Sequence, residues 1–147
     1  MKEHYSAEEL KEMEITYEAL NKSRIQELIS YAKGMGYRRI GLANCICMQK
    51  YIETLENLLK AGGLEVFHVN CREGGLDLCD FTADHKGSSC DPAYQADYLN
   101  SMNTDLNVNV GLCLGHGLIF QKHSKAPVTT LIVKDFATGH NPLANFE

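Results

Sequence analysis

From residue 37 onward, short apolar runs alternate with helical stripes, and this alternation restricts the fold more than any other feature of the chain. Arg39-Ile40-Gly41-Leu42-Ala43 reads as a strand, Gln49 to Ala61 as a helix with Ile52, Leu55, Leu58 and Leu59 inward, and Leu64 to Val69 as a second strand. Gly62-Gly63 stops the helix. Two strands joined through a helix need a crossover, which makes them parallel and the connection right-handed. A loop rich in Gly, Asp and Cys spans Asn70 to Ser89, and Pro92 suits the first turn of a helix reaching about Asn100. Leu106 to Leu112 and Val128 to Val133 are two further strands, joined by a short helix near Leu118 to Lys122. The expected class is α/β: a three-layer sandwich with a mainly parallel sheet of about four strands, and an order of 2-1-3-4 puts the reversal between the first and third.

Residues 1–36 form an N-terminal helical segment and 37–147 the cysteine-bearing core of one domain. Ser6 to Glu9 has the pattern of a capping box, so a helix starts near Ala7, with Leu10, Met13, Tyr17 and Leu20 along one face. Asn21-Lys22-Ser23 breaks it, and Ile25, Leu28, Ile29 and Ala32 resume the stripe. This segment can dock on its own domain or on a second subunit. Hydrophobic residues make up 44% and charged residues 22%, enough for an ordinary core. A net charge of -5 is the wrong sign for sequence-independent nucleic-acid binding, and Arg38-Arg39 is the one adjacent basic pair. No run reaches the roughly eighteen apolar residues of a membrane span, and the charged start is unlike a secretory leader, so the expected location is the cytoplasm.

Six cysteines in such a chain ask for a chemical explanation. A disulfide framework fits a secreted protein better, and the chain is long enough to fold without staples. Each strand delivers reactive side chains just past its carboxyl end: Cys45 and Cys47 after the first, Cys71 after the second, Cys113 and His116 after the third, Lys134, Asp135 and His140 after the fourth. Cys90, before the Asp91-Pro92 helix start, can join them. Ligands of open parallel sheets bind at this edge. Thiols at helix starts see the positive end of the dipole, so Cys45, Cys47, Cys90 and Cys113 are expected to ionise readily. Gathered thiolates repel one another unless a cation is present, and soft sulfur selects zinc, copper(I) or iron–sulfur. The other reading makes these cysteines small buried hydrophobes at strand ends.

His116 follows Cys113 by three positions in a glycine-bracketed turn, where it can be a fourth ligand, a proton shuttle or a residue that fixes the turn. His140, in Gly139-His140-Asn141-Pro142, has the same choice. Lys134 can neutralise thiolate charge or bind an anion, or form a solvated pair with Asp135. Neither a dinucleotide fingerprint nor a phosphate loop follows the first strand, and a serine-hydrolase elbow is absent.

The runs CDPAYQADYLN, TDLNVNVGLCLGHG, SKAPVTTLIVKD and GHNPLA, with MGYRRIGLANCI before them, resemble a family of cysteine-rich proteins of anaerobic bacteria and archaea labelled as a domain of unknown function or "metal-binding protein". The resemblance spans roughly Ile25 to Asn145. It implies that Cys45, Cys71, Cys90 and Cys113 are the family cysteines, with Cys47 and Cys79 additions. The chain departs from the family in lacking an N-terminal cysteine cluster and in carrying Gly117 where an acidic residue is common and Phe136 where a basic one is.

The leading expectation is a protein that holds zinc or an iron–sulfur cluster on Cys45, Cys71, Cys90 and Cys113, with His116 or Cys47 as additional ligands and a redox role. A homo-oligomer or a redox partner protein is compatible with it. The alternatives are a metal-free thiol enzyme using Cys113 or Cys45 with His116 as base, and an interaction module with inert cysteines.

Overall fold

The structure, a computed structural model, describes residues 2–147; Met1 lies outside it. Two capped helices open the chain: α1 (Ala7–Glu18) with a capping box between Ser6 and Glu9, and α2 (Arg24–Gly34) with a second between Ser23 and Gln26. The remainder is β1 (Arg39–Asn44), α3 (Gln49–Ala61), β2 (Glu65–Asn70), α4 (Pro92–Ser101), β3 (Leu106–Val110), α5 (Leu114–His123) and β4 (Val128–Ile132). The four strands pair in parallel, as crossover connections require, and their order is β2-β1-β3-β4.

Period-two alternation divides the core between the two faces of the sheet. Ile40 and Leu42 of β1 and Val108 and Val110 of β3 face Leu28 and Ala32 of α2 and Ile52, Leu55 and Leu59 of α3. On the other face Ala43 and Val69 pack with Ala96 and Leu99 of α4 and Phe120 of α5. The result is three layers.

Three local expectations are corrected. Met13, Tyr17 and Leu20 are exposed; α1 instead turns Ile15 and the buried Ala19 inward, and Ile15 fits against Gly34, where a Cβ would come within 2.7 Å of its Cδ1. Leu58, expected inward on α3, is 45% exposed, because Ile52, Leu55 and Leu59 already fill that face. Finally, β3 ends at Val110, Gly111 turns the chain at φ +70°, and α5 begins at Leu114, four residues before the expected helix near Leu118. Gly115 and Gly117 therefore lie inside a helix, although glycine costs about 1 kcal/mol there. At Gly117 the reason is steric: a Cβ would sit 2.8 Å from Asn109 Nδ2 of β3.

Gly41 is required for a similar reason. Its neighbour across the sheet, Asn107, is fully buried, accepts from Thr104 Oγ1 at 2.7 Å and donates to Ser124 Oγ at 2.8 Å. A Cβ on residue 41 would come within 2.2 Å of Asn107 Oδ1 and 2.9 Å of Leu99 Cδ1. Gly41→Ala should therefore lower the unfolding free energy by about 1–3 kcal/mol, read as a reduced urea midpoint with an unchanged slope.

Candidate functional site

The cysteines reach one edge because the sheet ladder continues past the strand ends. Cys45 N–H donates to Val110 O at 3.2 Å, Cys71 N–H to Asn44 O at 2.9 Å, and Asp91 N–H to Cys71 O at 2.8 Å. These bonds fix the backbone of Cys45 and Cys71 and hold Cys90 beside them. Gln95 of α4, fully buried, clamps the same edge by donating from Nε2 to Asn44 O at 3.2 Å and Val69 O at 2.9 Å.

At the crevice where strand order reverses, Lys134 Nζ lies 2.9 Å from Cys45 Sγ and 3.1 Å from Cys113 Sγ. Cys47 donates its S–H to Cys45 Sγ at 3.3 Å. Burial alone would raise the Cys45 thiol, but the Lys134 ammonium and the Cys47 donor outweigh it and hold the thiol below its ordinary value. Lys134 is desolvated too, yet the two sulfurs keep it protonated well above the ordinary lysine range. Cys47 departs from the expectation of ready ionisation. Burial and the donation of its proton to Cys45 raise its pKa, because two adjacent thiols cannot both ionise cheaply.

A second thiol pair adjoins the first. Cys71 Sγ accepts from Ile46 N–H at 3.3 Å, while burial, Cys90 and Cys45 push the Cys71 thiol up to about 11. The Arg72 guanidinium interacts with Cys71 and Cys90 and donates to Ser88 O at 2.7 Å. Each pair of sulfurs is thus served by a protein cation. The sequence places Arg72 after the second strand, beside Cys71, without giving it a role, and Gln95 leaves no linear signal.

The other expected residues are placed elsewhere. Cys79 is exposed in a short 3-10 turn beside Asp77, which raises its thiol by hydrogen bonding. His116 lies on α5, not in a turn; its imidazole is held below the ordinary value by burial and by Lys134. No hydrogen bond joins it to a cysteine among the described residues. His140 at φ +68° accepts from Asp135 N–H through Nδ1 at 3.0 Å and so fixes the loop after β4. Among the described residues no three Cys, His, Asp or Glu side chains come together as a site for one metal ion. Between Cys45 and Cys113 the cation is an ammonium.

Residues 2–131 match the family described as "Protein of unknown function (DUF1847)". The match includes all six cysteines and ends in β4, ahead of Lys134. The chain is also 42% identical over 134 residues to "Uncharacterized protein MJ0455" of Methanocaldococcus jannaschii, covering 88% of this chain and 68% of that protein.

The lowered Cys45 pKa gives a pH prediction. Thiolate absorbance in the ultraviolet should develop in the reduced protein below the ordinary thiol range, disappear from that range in Cys45→Ser and move to higher pH in Lys134→Met. The Cys71 thiolate should develop near pH 11 in the wild-type protein and stay above the ordinary thiol range in Lys134→Met.

Proposed function

The chain belongs to the DUF1847 family, and from the geometry of its sheet edge we propose that this edge performs thiol–disulfide exchange on a sulfur substrate. One observation carries this reading: a single ammonium, Lys134, holds the sulfurs of Cys45 and Cys113 at 2.9 and 3.1 Å. A cation in that position favours the thiolate, which is the nucleophilic form.

Cys113 is the attacking thiol, because it lines an open cleft whereas Cys45 is 5% exposed. Its thiolate attacks one sulfur of the substrate disulfide, an S–S bond forms to the protein, and the substrate's own S–S bond breaks with departure of a thiolate. Cys45 then attacks Cys113 Sγ in the mixed disulfide. The protein disulfide forms and the second substrate thiolate leaves. Two electrons pass from the cysteine pair to the substrate, and the two protons of the protein thiols leave with the two substrate thiolates. Lys134 offsets the negative charge throughout, and Cys47 shields Cys45 by hydrogen bonding until attack. Lys134, kept protonated, acts by its charge and not as the base that the thiol-enzyme alternative made of His116.

Lys134→Met should slow modification of the reduced protein by a small disulfide at neutral pH by about threefold to tenfold. Removing the ammonium 3.1 Å from Cys113 Sγ takes away the positive charge that favours the attacking thiolate. Stopped-flow mixing with peptide mapping checks it. Wild-type reaction at Cys113 no faster than a free cysteine, or a mapped product without a disulfide involving Cys45, would overturn the reading.

A second reading keeps zinc or an iron–sulfur cluster on Cys45, Cys71, Cys90 and Cys113. It is supported by the adjacency of the two thiol pairs, since Cys45 and Cys71 interact electrostatically across them. Binding one ion would require Lys134 to withdraw and the pairs to close together, whereas a cluster spans more widely placed sulfurs. It predicts near-stoichiometric zinc, or iron with sulfide and a brown chromophore, in protein purified without oxygen or an affinity metal. Folded, reduced protein containing neither metal would overturn this second reading.

A further inference from the structure

Beyond Cys113 and Lys134 a cleft of about 280 Å³ runs between α5 and β4. Leu112 and Leu118 on one side and Val128 and Ile132 on the other give it aliphatic surface, interrupted by the polar Asn109, Gln121 and Thr130, and Cys113 and Lys134 share it. The cleft depends on glycine. Gly117 and Asn109 both line it, and a Cβ on residue 117 would drive into the Asn109 amide, 2.8 Å away. At the reactive end, an ammonium has three donors and Lys134 spends two on sulfur, so one remains for an anion. The first turn of α5 adds its positive end, since Cys113 places no side-chain hydrogen bond on it. The Phe136 ring, 4.9 Å from Nζ, covers part of the ammonium with an apolar surface. A second cavity among the described residues, about 260 Å³ beneath α1 and α2, is lined by no cysteine.

We infer that this cleft selects the substrate: a small aliphatic thiol or disulfide whose anionic group lies next to its sulfur. The hydrocarbon lies along Leu118 and Val128, the anion meets Lys134, and the sulfur is delivered to Cys113. At the lower end of the volumes usual for ligand pockets, the cleft takes a short chain and excludes a bulky or strongly hydrated one. The charge at its mouth disfavours cationic ligands. This substrate class rests on the thiol–disulfide reading, but occupancy of the cleft can be measured without any redox step.

The test is an amide NMR titration of the reduced full chain with hexanoate, acetate and hexylamine. Hexanoate should shift the amides of Leu118, Val128 and Thr130 saturably and bind at least tenfold more tightly than acetate, which lacks the chain, or hexylamine, which has the wrong charge. Leu118→Asp and Lys134→Met should each weaken hexanoate at least tenfold. Equal binding of hexylamine, no saturable shift, or shifts confined to the cavity beneath α1 and α2 would overturn the inference. If hexanoate binds as expected while Cys113 reacts no faster than a free cysteine, the cleft stands as an anion site and the exchange reaction falls. If Cys113 is reactive but hexanoate does not bind, the exchange reaction stands and the substrate class falls.

Discussion

Parallel pairing in register is the constraint on which the rest depends. Once β2, β1, β3 and β4 run the same way, every strand ends at one edge, and whatever residue follows each strand is delivered there. Backbone bonds from Cys45 to Val110 and from Cys71 to Asn44 extend the ladder by one residue beyond β1 and β2. The cysteine backbones are therefore held by the sheet itself and not by loose loops. Asn107 and Gly41 serve the same end at a distance, since the buried amide occupies the space that a side chain on residue 41 would need.

Concentrating thiols creates an electrostatic problem that the structure solves with its own cations. Lys134 lies between two sulfurs, and Arg72 serves the pair Cys71 and Cys90. The consequences differ for each thiol. Cys45, bonded by the ammonium and by Cys47, is the thiol eased toward ionisation, whereas Cys47 and Cys71 are pushed the other way. Among these neighbours Cys45, the resolving thiol of the proposed exchange, is the one whose surroundings favour the thiolate.

The family match and the sequence resemblance overlap over most of the chain, but their bounds differ. The match begins at residue 2 and so includes α1 and α2, and it ends at residue 131. Lys134 and the Asp135–His140 loop lie past it, although Lys134 contacts two cysteines inside it. His140 closes that loop by accepting from Asp135 N–H.

The sequence by itself determined the parallel direction of the strands and the residues delivered to the edge, and the order β2-β1-β3-β4 came from the structure. Hydrophobic periodicity and the crossover rule are local and topological, and they hold whatever the side chains do at the strand ends. It also identified Lys134 as a group able to neutralise thiolates. What it could not determine was which sulfur meets which cation, because that depends on distances between residues as far apart as Cys45 and Lys134. The same limit explains three corrections. Cys47 is held protonated by a neighbour, His116 was carried onto a helix that two glycines concealed, and Gln95, an ordinary polar residue in sequence, became the buried clamp of β1 and β2. Only the tertiary structure decided these points, since a thiol's ionisation and an amide's partners are set by whatever is packed within a few ångströms, and sequence spacing does not encode that packing.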